Sequence, residues 1–508
     1  MILVALLFLP FVVGFACWQL ARDDDSSQLP RWLALYTFII MLVLCLWAWL
    51  TGDYSIGSAG DTPTWQREVQ FSWIPSLGIS FHLALDGLSL IMVSLTSFLG
   101  ILSVLCSWKE ITDRVGFFHL NLMWIYTGII GVFLAMDLFL FFFFWEMMLL
   151  PMYFLIALWG HDSTDGRKTR VGTAIKFFIY TQISGLCMFA AILGLVFAHY
   201  FSTGTFSFDY EVLLGAEVLG VFGFVLMLGF FIAFAVKLPM VPVHGWLPDA
   251  HAQAPTAGSV ILAGILLKTG AYGMLRFCLP LFPEASTEFA LIPMALGIVG
   301  IYYGAVLAFA QTNLKRLIAA SSIAHMGFIL IGIYAGTEIA LQGVVLLIVA
   351  HAFSSSGLFV MSGQLYERIH TREMPEMGGL FGQVGALSGF GLAFVMATLG
   401  MPGTANFVGE FLILFGTFGE FPWVVVVSTF GLILAAIYSL ILMHRVYWGP
   451  AAADVSYGGI DAREYFTLGS MLALTIFLGL YPQALLKVSG DTMNQIAHWL
   501  TAVSPLAF

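Results

Sequence analysis

The sequence predicts an all-α integral membrane protein with about 14 transmembrane helices, which form two inverted five-helix repeats with broken helices 7 and 12. Three observations lead to this fold class. The 508-residue chain is 60% hydrophobic and only 9% charged, with a mean hydropathy of +0.95, whereas soluble domains carry about 25% charged residues. Apolar stretches of about 20 residues, the length that a spanning helix needs, recur along the whole chain. Two of these stretches are unusually long and are interrupted by proline and glycine.

The apolar stretches define the elements in order. The candidate spans are residues 1–20, 32–51, 83–107, 117–135, 138–159, 173–199, 217–252 (interrupted), 256–279, 289–312, 317–335, 339–362, 384–418 (interrupted), 423–447 and 464–485. The first lacks a basic start and is interpreted as a retained span and not as a cleaved signal. Residues 62–83 alternate apolar and polar side chains around Ile74–Gly78, which predicts an extramembrane hairpin. Leu486–Thr501 is predicted to be a short amphipathic helix at the surface.

These elements divide the chain into four predicted regions. Residues 1–116 contain helices 1–3 and an outer hairpin, residues 117–280 the first inverted repeat with helices 4–8, residues 281–450 the second repeat with helices 9–13, and residues 451–508 helix 14 and the amphipathic segment. A repeat with an odd number of helices gives its two copies opposite orientations in the membrane. Inverted repeats with broken helices are typical of ion-coupled transporters.

Positively charged residues predict the orientation of the spans. Loops after odd-numbered spans hold 13 of the 19 Lys and Arg residues, namely Arg22, Arg31, Lys109, Arg114, Arg167, Lys168, Arg170, Lys315, Arg316, Arg368, Arg372, Arg445 and Arg463. Loops after even-numbered spans carry only Arg67, with Lys487 after the last span and Arg276 at the end of span eight. This asymmetry predicts cytoplasmic odd-numbered loops and periplasmic termini. Lys176, near the start of its span, could reach back to the cytoplasmic surface.

Both interrupted spans are associated with ionisable residues at membrane depth. Three prolines interrupt span seven after Lys237, and the next span carries Lys268. Met401–Gly403 interrupts span twelve, and Glu410 follows about two turns later. Broken backbone at this depth is tolerated only where protein or a water-filled cavity surrounds it. The two breaks therefore indicate polar regions inside the bundle.

Six ionisable residues within the spans form a candidate proton path, namely Glu146, Lys237, Lys268, His325, His351 and Glu410. Such residues are expensive in a membrane and commonly mark ion or proton pathways. Glu146 and Lys237 are the predicted ion pair, and histidine can relay a proton through either ring nitrogen. Each residue also has a structural interpretation, such as a packed, hydrogen-bonded histidine, a carboxylate that clamps a helix, or prolines that only kink helices.

Other polar residues in or near the spans receive a structural interpretation. Asp86 and Asp137 lie near the outer ends of spans and are predicted to be structural or interfacial. Lys315 is interpreted as an orientation signal. His244 and His251, in the broken region, could line a cytoplasmic entrance or could satisfy freed carbonyl groups.

No redox centre, cofactor site or metal site is predicted on this chain. The five cysteines lie in or at the ends of apolar segments without CxxC spacing, which is typical of small core residues and not of cluster ligands; they are Cys17, Cys45, Cys106, Cys187 and Cys278. The chain contains no GxGxxG motif and no pair of histidines suited to haem. Its composition also lacks a basic region that would bind nucleic acid.

Long motifs resemble a known family. Three of them resemble signatures of the antiporter-like subunits of respiratory complex I, namely HGWLPDAHAQAPTAGSVILAGILLKTGAYGMLRF (His244–Phe277), QTNLKRLIAASSIAHMGFI (Gln311–Ile329) and LGMPGTANFVGEF (Leu399–Phe411). Three others narrow the resemblance to the subunit M type of bacterial NADH–quinone oxidoreductase, namely LDGLSL (Leu85–Leu90), FHLNLMW (Phe118–Trp124) and FFFFWEMMLLPMYFLIALWG (Phe141–Gly160). The resemblance covers essentially the whole chain. It implies fourteen helices, two inverted repeats, and two half-channels joined by a central polar axis.

The same resemblance implies a role for each candidate residue. Glu146 and Lys237 resemble the family's paired glutamate and lysine, and Lys268 resembles its bridging lysine. The two histidines match the polar residues that continue the axis, and Glu410 matches the terminal acid that distinguishes subunit M from its sister subunits. The expected mechanism is that redox chemistry elsewhere changes the glutamate–lysine pair. A proton from the cytoplasm then passes along Lys268, the histidines of span ten and then span eleven, and Glu410 to the periplasm.

The resemblance also implies the surroundings of the chain. NAD, FMN, iron–sulfur clusters and quinone are expected on other subunits, and the expected partners are other membrane subunits of complex I, including sister antiporter-like subunits on either side. The expected location is the bacterial inner membrane. Two other functions compete with this one. A multi-subunit Na⁺/H⁺ antiporter would use the same fold and most of the motifs, and a structural scaffold would use the fold alone, although six costly ionisable residues argue against it.

Overall fold

Long apolar helices make up most of the protein in the computed structural model, together with one two-stranded sheet. The structure describes residues 1–22, 27–54, 62–163, 166, 168–216, 218, 220–450 and 457–503. Arg167, which contributed to the predicted orientation, lies outside the described residues. So do parts of predicted span seven and of the predicted C-terminal region.

The N-terminal region contains three helices and the predicted hairpin. Its elements are α1 (Ile2–Leu20), α2 (Leu29–Thr51), β1 (Arg67–Ile74), β2 (Ile79–Leu85) and α3 (Gly87–Cys106). The strands are antiparallel, which confirms the hairpin. Gly78 has a φ of 68° in the turn, and an added Cβ would lie 1.9 Å from the Phe206 carbonyl oxygen, so the position requires glycine. The predicted third span began too early, because residues 83–85 belong to β2 and Asp86 caps the start of α3.

Eleven α-helices form the next part of the chain. They are α4 (Val115–Leu134), α5 (Leu138–Met147), α6 (Leu149–Trp159), α7 (Arg170–Thr203), α8 (Tyr210–Leu214), α9 (Gly220–Lys237), α10 (Leu247–Gln253), α11 (Thr256–Ile261), α12 (Leu267–Gly273), α13 (Leu279–Leu281) and α14 (Pro283–Phe289). Residues 238–246 interrupt predicted span seven between α9 and α10, as the prolines indicated. Span eight runs from α11 to α13 and contains two π-helical turns, Leu262–Leu266 and Met274–Cys278.

Eight more α-helices complete the described chain. They are α15 (Leu291–Phe309), α16 (Leu314–Ala335), α17 (Glu338–Ile369), α18 (Ala386–Thr398), α19 (Ala405–Phe418), α20 (Pro422–Val446), α21 (Ala462–Leu480) and α22 (Gln483–Val503). Predicted span twelve is α18 and α19, separated by residues 399–404, in which Gly400 and Gly403 have φ angles of 77° and 95°. These backbone conformations favour glycine, so the break is encoded locally.

The number of spans is lower than predicted when length and apolar composition are the criterion. Among the described residues, 12 helices are long and apolar enough to cross a membrane, or 13 if α21 and α22, which are bent by 69°, count as one span. The shorter helices α18 and α19 account for the remaining predicted span. The all-α membrane fold is therefore confirmed, whereas the count of fourteen stays a prediction.

Burial divides the helices into a central and a peripheral set. The most apolar stretches of span eight (Thr256–Leu281), α16 and α17 are completely buried within the protein, whereas those of α1, α2 and α20 are mostly not. Lys268, His325 and His351 belong to these three buried segments. These three ionisable residues therefore lie in the centre of the helix bundle, where other helices and not lipid surround them.

The C-terminal helix α22 is amphipathic, as predicted, but it is longer than predicted and half of it is buried. Its Met493 and Ile496 pack inward, and Thr492 donates a hydrogen bond to Asp86 Oδ2 at 2.9 Å. Asp86 also forms a buried ion pair with Arg276. Asp86 thus connects the start of α3 to both α22 and span eight, which agrees with a structural role for this residue.

Candidate functional site

The first part of the candidate site joins the end of α5 to the end of α9. Lys237 is completely buried, and its Nζ lies 5.4 Å from the centroid of the Trp145 ring and 5.6 Å from that of Phe177. At these distances a protonated lysine is attracted by the aromatic faces. Glu146 follows Trp145 in the chain and presses against α7, where a Cβ added to Gly185 would lie 2.2 Å from its Oε1.

Glu146 and Lys237 share this pocket without direct contact. Within the described chain, neither Glu146 Oε1 nor Lys237 Nζ has a hydrogen-bond partner, and no salt bridge joins the two residues. The predicted direct ion pair is therefore not formed in this structure. Burying these two polar atoms without hydrogen bonds costs free energy, because each has lost its contact with water. A bridging water molecule, or a small movement of the Glu146 side chain, would reduce this cost.

The second part is a continuous chain of contacts through the central helices. Lys268 Nζ lies 2.8 Å from His351 Nδ1 and also donates to the Ala263 carbonyl. The rings of His351 and His325 are 5.4 Å apart between centroids. His325 Nδ1 lies 3.0 Å from Glu410 Oε1. Four of the six predicted residues therefore meet. Lys268, His325 and His351 lie near the middle of their spans, and Glu410 lies in α19, the second half of the broken span.

The order of the two histidines differs from the expected one. The expected path ran from Lys268 to His325 and then to His351, whereas the structure places His351 beside the lysine and His325 beside Glu410. The physical reason is packing, because α17 lies against the π-helical turn just before Lys268 as well as against α19, so that His351 can face the lysine while His325 of the neighbouring α16 faces Glu410. Sequence order along the chain does not determine which helix lies between two others.

Local backbone structure positions both ends of this chain of contacts. The π-helical turn before Lys268 is wider than an α-helix, since the Leu267 N–H bonds to the Leu262 carbonyl five residues earlier. Such turns occur frequently at functional sites. At the other end, Gly400 lies against Glu410, and an added Cβ would be 2.8 Å from Glu410 Oε2. The break in span twelve therefore makes room for the carboxylate.

Hydrogen bonds assign the tautomers of the two histidines. Tyr438 OH lies 3.2 Å from His325 Nε2. His325 Nδ1 faces a carboxylate, which only accepts, so this ring donates from Nδ1 and accepts from Tyr438 at Nε2. His351 Nδ1 faces the Lys268 amine and accepts from it, which leaves the His351 Nε2 hydrogen without a partner among the described residues. Each ring can therefore take up a proton on one nitrogen and release one from the other.

Three residues near these contacts have surroundings that the sequence did not reveal. Tyr438 was not singled out, because a tyrosine in an apolar helix gives no signal. Lys315 was interpreted as an orientation signal, but it is completely buried and donates to the Ala254 carbonyl at 2.9 Å. His251 stacks on Phe359 with ring centroids 4.3 Å apart, and within the described chain neither ring nitrogen has a hydrogen-bond partner. His251 therefore does not satisfy a freed carbonyl.

A charged cluster surrounds α10, at the end of the broken span. Asp249 Oδ2 accepts from Lys176 Nζ at 2.8 Å, and its Oδ1 accepts from Arg316 at 2.8 Å and from Lys168. Lys176 also donates to the Gly245 carbonyl. The charge of Lys176 is thus held by a buried carboxylate, and its reach to the cytoplasmic surface stays a prediction.

The chain is similar to known proteins over its whole length. The family described as "NADH:quinone oxidoreductase/Mrp antiporter, TM" matches residues 135–437. Proteins named NADH-quinone oxidoreductase subunit M are 58% identical to the chain in Pseudomonas aeruginosa, over all of both chains, and in Escherichia coli K12, over 98% of each. A chain of respiratory complex I from Thermus thermophilus superposes with a TM-score of 0.87 at 26% identity, covering 98% of this chain and all of that one. A chain of the Mrp complex from Dietzia sp. has a TM-score of 0.84 and covers 99% of each chain, but its 19% identity shows a shared fold alone.

Proposed function

This chain belongs to the NADH:quinone oxidoreductase/Mrp antiporter transmembrane family, and from that premise we propose that its buried ionisable residues carry protons across the membrane. It is a proton-translocating membrane subunit of NADH–quinone oxidoreductase, and it couples the energy of the redox reaction to proton movement. The observation that carries the residue-level proposal is the contact chain Lys268–His351–His325–Glu410. All four side chains are buried, and three of them belong to the completely buried segments. Ionisable groups at such positions have a high desolvation cost, which packing alone does not explain.

The input step involves Glu146 and Lys237. A charge that changes next to this chain alters the electrostatic balance between the Glu146 carboxylate and the Lys237 amine. Because Lys237 is completely buried, its protonation state responds strongly to such a change. Movement of the Glu146 carboxylate towards the lysine holds the proton there, and movement away releases it towards the central helices.

The transfer step runs through the second part of the site. Lys268 gives a proton to His351 Nδ1, which it contacts directly, and His351 releases a proton from Nε2. The two imidazole rings do not share a hydrogen bond, so a water molecule or a ring rotation completes this step. His325 takes up the proton at Nε2 as the Tyr438 hydroxyl turns to accept from that nitrogen, and it gives its Nδ1 proton to Glu410. Water also links Lys237 to Lys268, since no direct contact joins these two lysines in the described chain.

The surroundings follow from the same proposal. The partners are other membrane subunits of the complex, with sister antiporter-like subunits on either side, in the bacterial inner membrane and with both termini periplasmic. NAD, FMN, the iron–sulfur clusters and quinone are held by other subunits. A role in a multi-subunit Na⁺/H⁺ antiporter is less well supported, because the antiporter relative matches at only 19% identity, whereas the relatives at 58% identity are named as oxidoreductase subunits.

Glu146→Gln tests the input step in the assembled complex. The substitution keeps the shape of the side chain and removes its charge and its titration. We expect NADH-driven proton uptake by inside-out vesicles to fall by at least about tenfold, because the group that controls Lys237 is lost. NADH oxidation, quinone reduction and proton uptake are followed together, and a blue-native gel confirms that the complex is assembled.

The matched control is Glu288→Gln, which removes an exposed carboxylate of α14 and should leave all three rates unchanged. A Glu146→Gln complex with unchanged rates and an unchanged ratio of protons to NADH would contradict the input step. The contact chain from Lys268 to Glu410 would then have to receive its proton from elsewhere.

Gly185→Ala tests the position of the Glu146 carboxylate without changing any charge. The new methyl group would overlap Glu146 Oε1 at 2.2 Å and must displace the carboxylate, while alanine favours helix α7 by about 1 kcal/mol. We expect lower proton uptake by severalfold in a complex that is at least as heat-stable, since misplacing a reacting group by about 1 Å can cost up to about 10²-fold. Gly389→Ala, in a helix with open space around the new methyl group, is the control, and equal uptake in both variants would refute the importance of this position.

A further inference from the structure

A cluster of histidine and carboxylate side chains lies outside the membrane segments, between the hairpin and α8. His82, on β2, is buried with 1% of its surface exposed. Its Nδ1 lies 2.7 Å from Asp209 Oδ2, and the same carboxylate accepts from Gln70 Nε2 at 2.8 Å. Asp209 is itself held at the start of α8, where it caps the helix. The orientation of the imidazole ring is therefore fixed from its Nδ1 side.

The other ring nitrogen of His82 points at two exposed acids. Its Nε2 lies 3.0 Å from Glu68 Oε1, yet the geometry makes no hydrogen bond, and Nε2 is buried without a partner in the described part of the chain. Glu211, on α8, completes the group, and one ligand atom from each of the three residues lies within 4.8 Å of the others. Trp65 Nε1 donates to Glu211 and holds it in place.

The charges of this cluster do not balance. Glu68, Asp209 and Glu211 surround a single imidazole, which offers at most one positive charge. Even with a protonated histidine, the three carboxylates leave an excess of negative charge, and a divalent cation would neutralise it.

We propose that Glu68, His82 and Glu211 bind a divalent transition-metal ion of the zinc class on the outer face of the protein. The imidazole nitrogen favours this class over Ca²⁺ and Mg²⁺, which prefer oxygen ligands. An Asp that accepts from Nδ1 while Nε2 faces the metal is the usual carboxylate–histidine arrangement of zinc sites. Zinc takes nitrogen and oxygen ligands at about 2.0–2.2 Å, with ligand atoms about 3.3 Å apart in a tetrahedron.

The present arrangement needs little movement to reach that geometry. Glu68 and Glu211 are exposed, so both side chains can close on an ion that enters from solvent. Three protein ligands leave a fourth position for water or another carboxylate oxygen. A bound ion would join the hairpin, which precedes α3, to the segment between α7 and the broken span, and would stiffen the outer surface there.

Metal content of the whole complex tests the site. The purified complex is stripped with a chelator, dialysed against Zn²⁺, freed of excess ion and measured for zinc per complex. We expect the Glu68→Gln/Glu211→Gln double variant to hold one zinc fewer than the unmodified complex, because both exposed ligands are lost. Glu284→Gln/Glu288→Gln removes two exposed carboxylates of α14 and should hold as much zinc as the unmodified complex.

Asp209→Asn adds a second measurement that leaves all three ligands in place. Loss of the partner of a metal-bound histidine commonly weakens metal binding by about 10–100-fold, so the zinc concentration needed for half-occupancy should rise by that factor. Equal zinc content in the Glu68/Glu211 and the control variants would overturn the proposal. The proposal would also be overturned if the unmodified complex took up no zinc that depends on these residues. The cluster would then be a histidine held between acids.

Discussion

Replacing Lys268 with methionine is expected to lower NADH-driven proton uptake by about 10²-fold or more, which is the contribution typical of a positioned proton donor. Lys268 Nζ contacts His351 Nδ1 at 2.8 Å, so the substitution interrupts the contact chain at its first member. Methionine is similar in length and apolar, and the site is completely buried. Removing a buried charge in favour of an apolar side chain is commonly tolerated, so the complex should assemble normally.

Lys268→Arg tests whether residue 268 transfers a proton or acts only through its positive charge. Arginine keeps the positive charge but does not lose its proton at any physiological pH. We therefore expect Lys268→Arg to be as defective as Lys268→Met in proton uptake by inside-out vesicles. Lys487→Met, at an exposed position of α22, is the control. Substantial proton uptake by Lys268→Arg would mean that the residue acts through its charge and not by transferring a proton.

Glu410→Gln is expected to have the other large effect. The amide oxygen of glutamine can still accept from His325 Nδ1, which lies 3.0 Å from Glu410 Oε1, but the side chain can no longer take up a proton. We expect proton uptake to fall by about 10²-fold or more while the packing around Gly400 is kept. Tyr438→Phe, which removes only the hydroxyl that positions His325, should reduce uptake to a smaller extent.

Glu420→Gln provides the control for this variant, since Glu420 is an exposed glutamate just beyond the end of α19. Its proton uptake, measured in the same vesicles, should match that of the unmodified complex. Unimpaired uptake by Glu410→Gln would show that the proton leaves the protein before Glu410. The contact between His325 and Glu410 would then serve only to hold α16 against α19.

The sequence was most informative about residues whose presence in an apolar span costs free energy. A charge within an apolar span has few explanations, so Lys268 and Glu410 could be identified before their contacts were known. The hairpin and both broken spans were predictable for a related reason, because proline, glycine and alternating polarity act locally. Residues near the ends of spans were harder to interpret. Lys315 has the same sequence context whether it points to water or, as observed, into the protein.

Spatial order was the part that the sequence did not reveal. His351 lies between Lys268 and His325 because of how three helices pack, and no local pattern encodes that arrangement. The direct contact expected between Glu146 and Lys237 depends on side-chain conformations within one pocket, which a sequence pattern does not define. The cluster around His82 is similar, since its members come from two strands and a short helix and become neighbours only in the folded chain.

Lys268, His325 and His351 lie near the middle of their membrane segments, and Glu410 lies 3.0 Å from His325. In the proposed pathway, this placement affects how the proton experiences the membrane voltage. Moving one charge across the full membrane costs or yields about 2.3 kcal/mol per 100 mV. A proton that moves sideways at constant depth crosses almost none of that potential. In the proposed pathway, voltage therefore acts mainly on the steps by which the proton enters and leaves, and we expect the transfer from Lys268 to Glu410 to depend little on whether the membrane is energised.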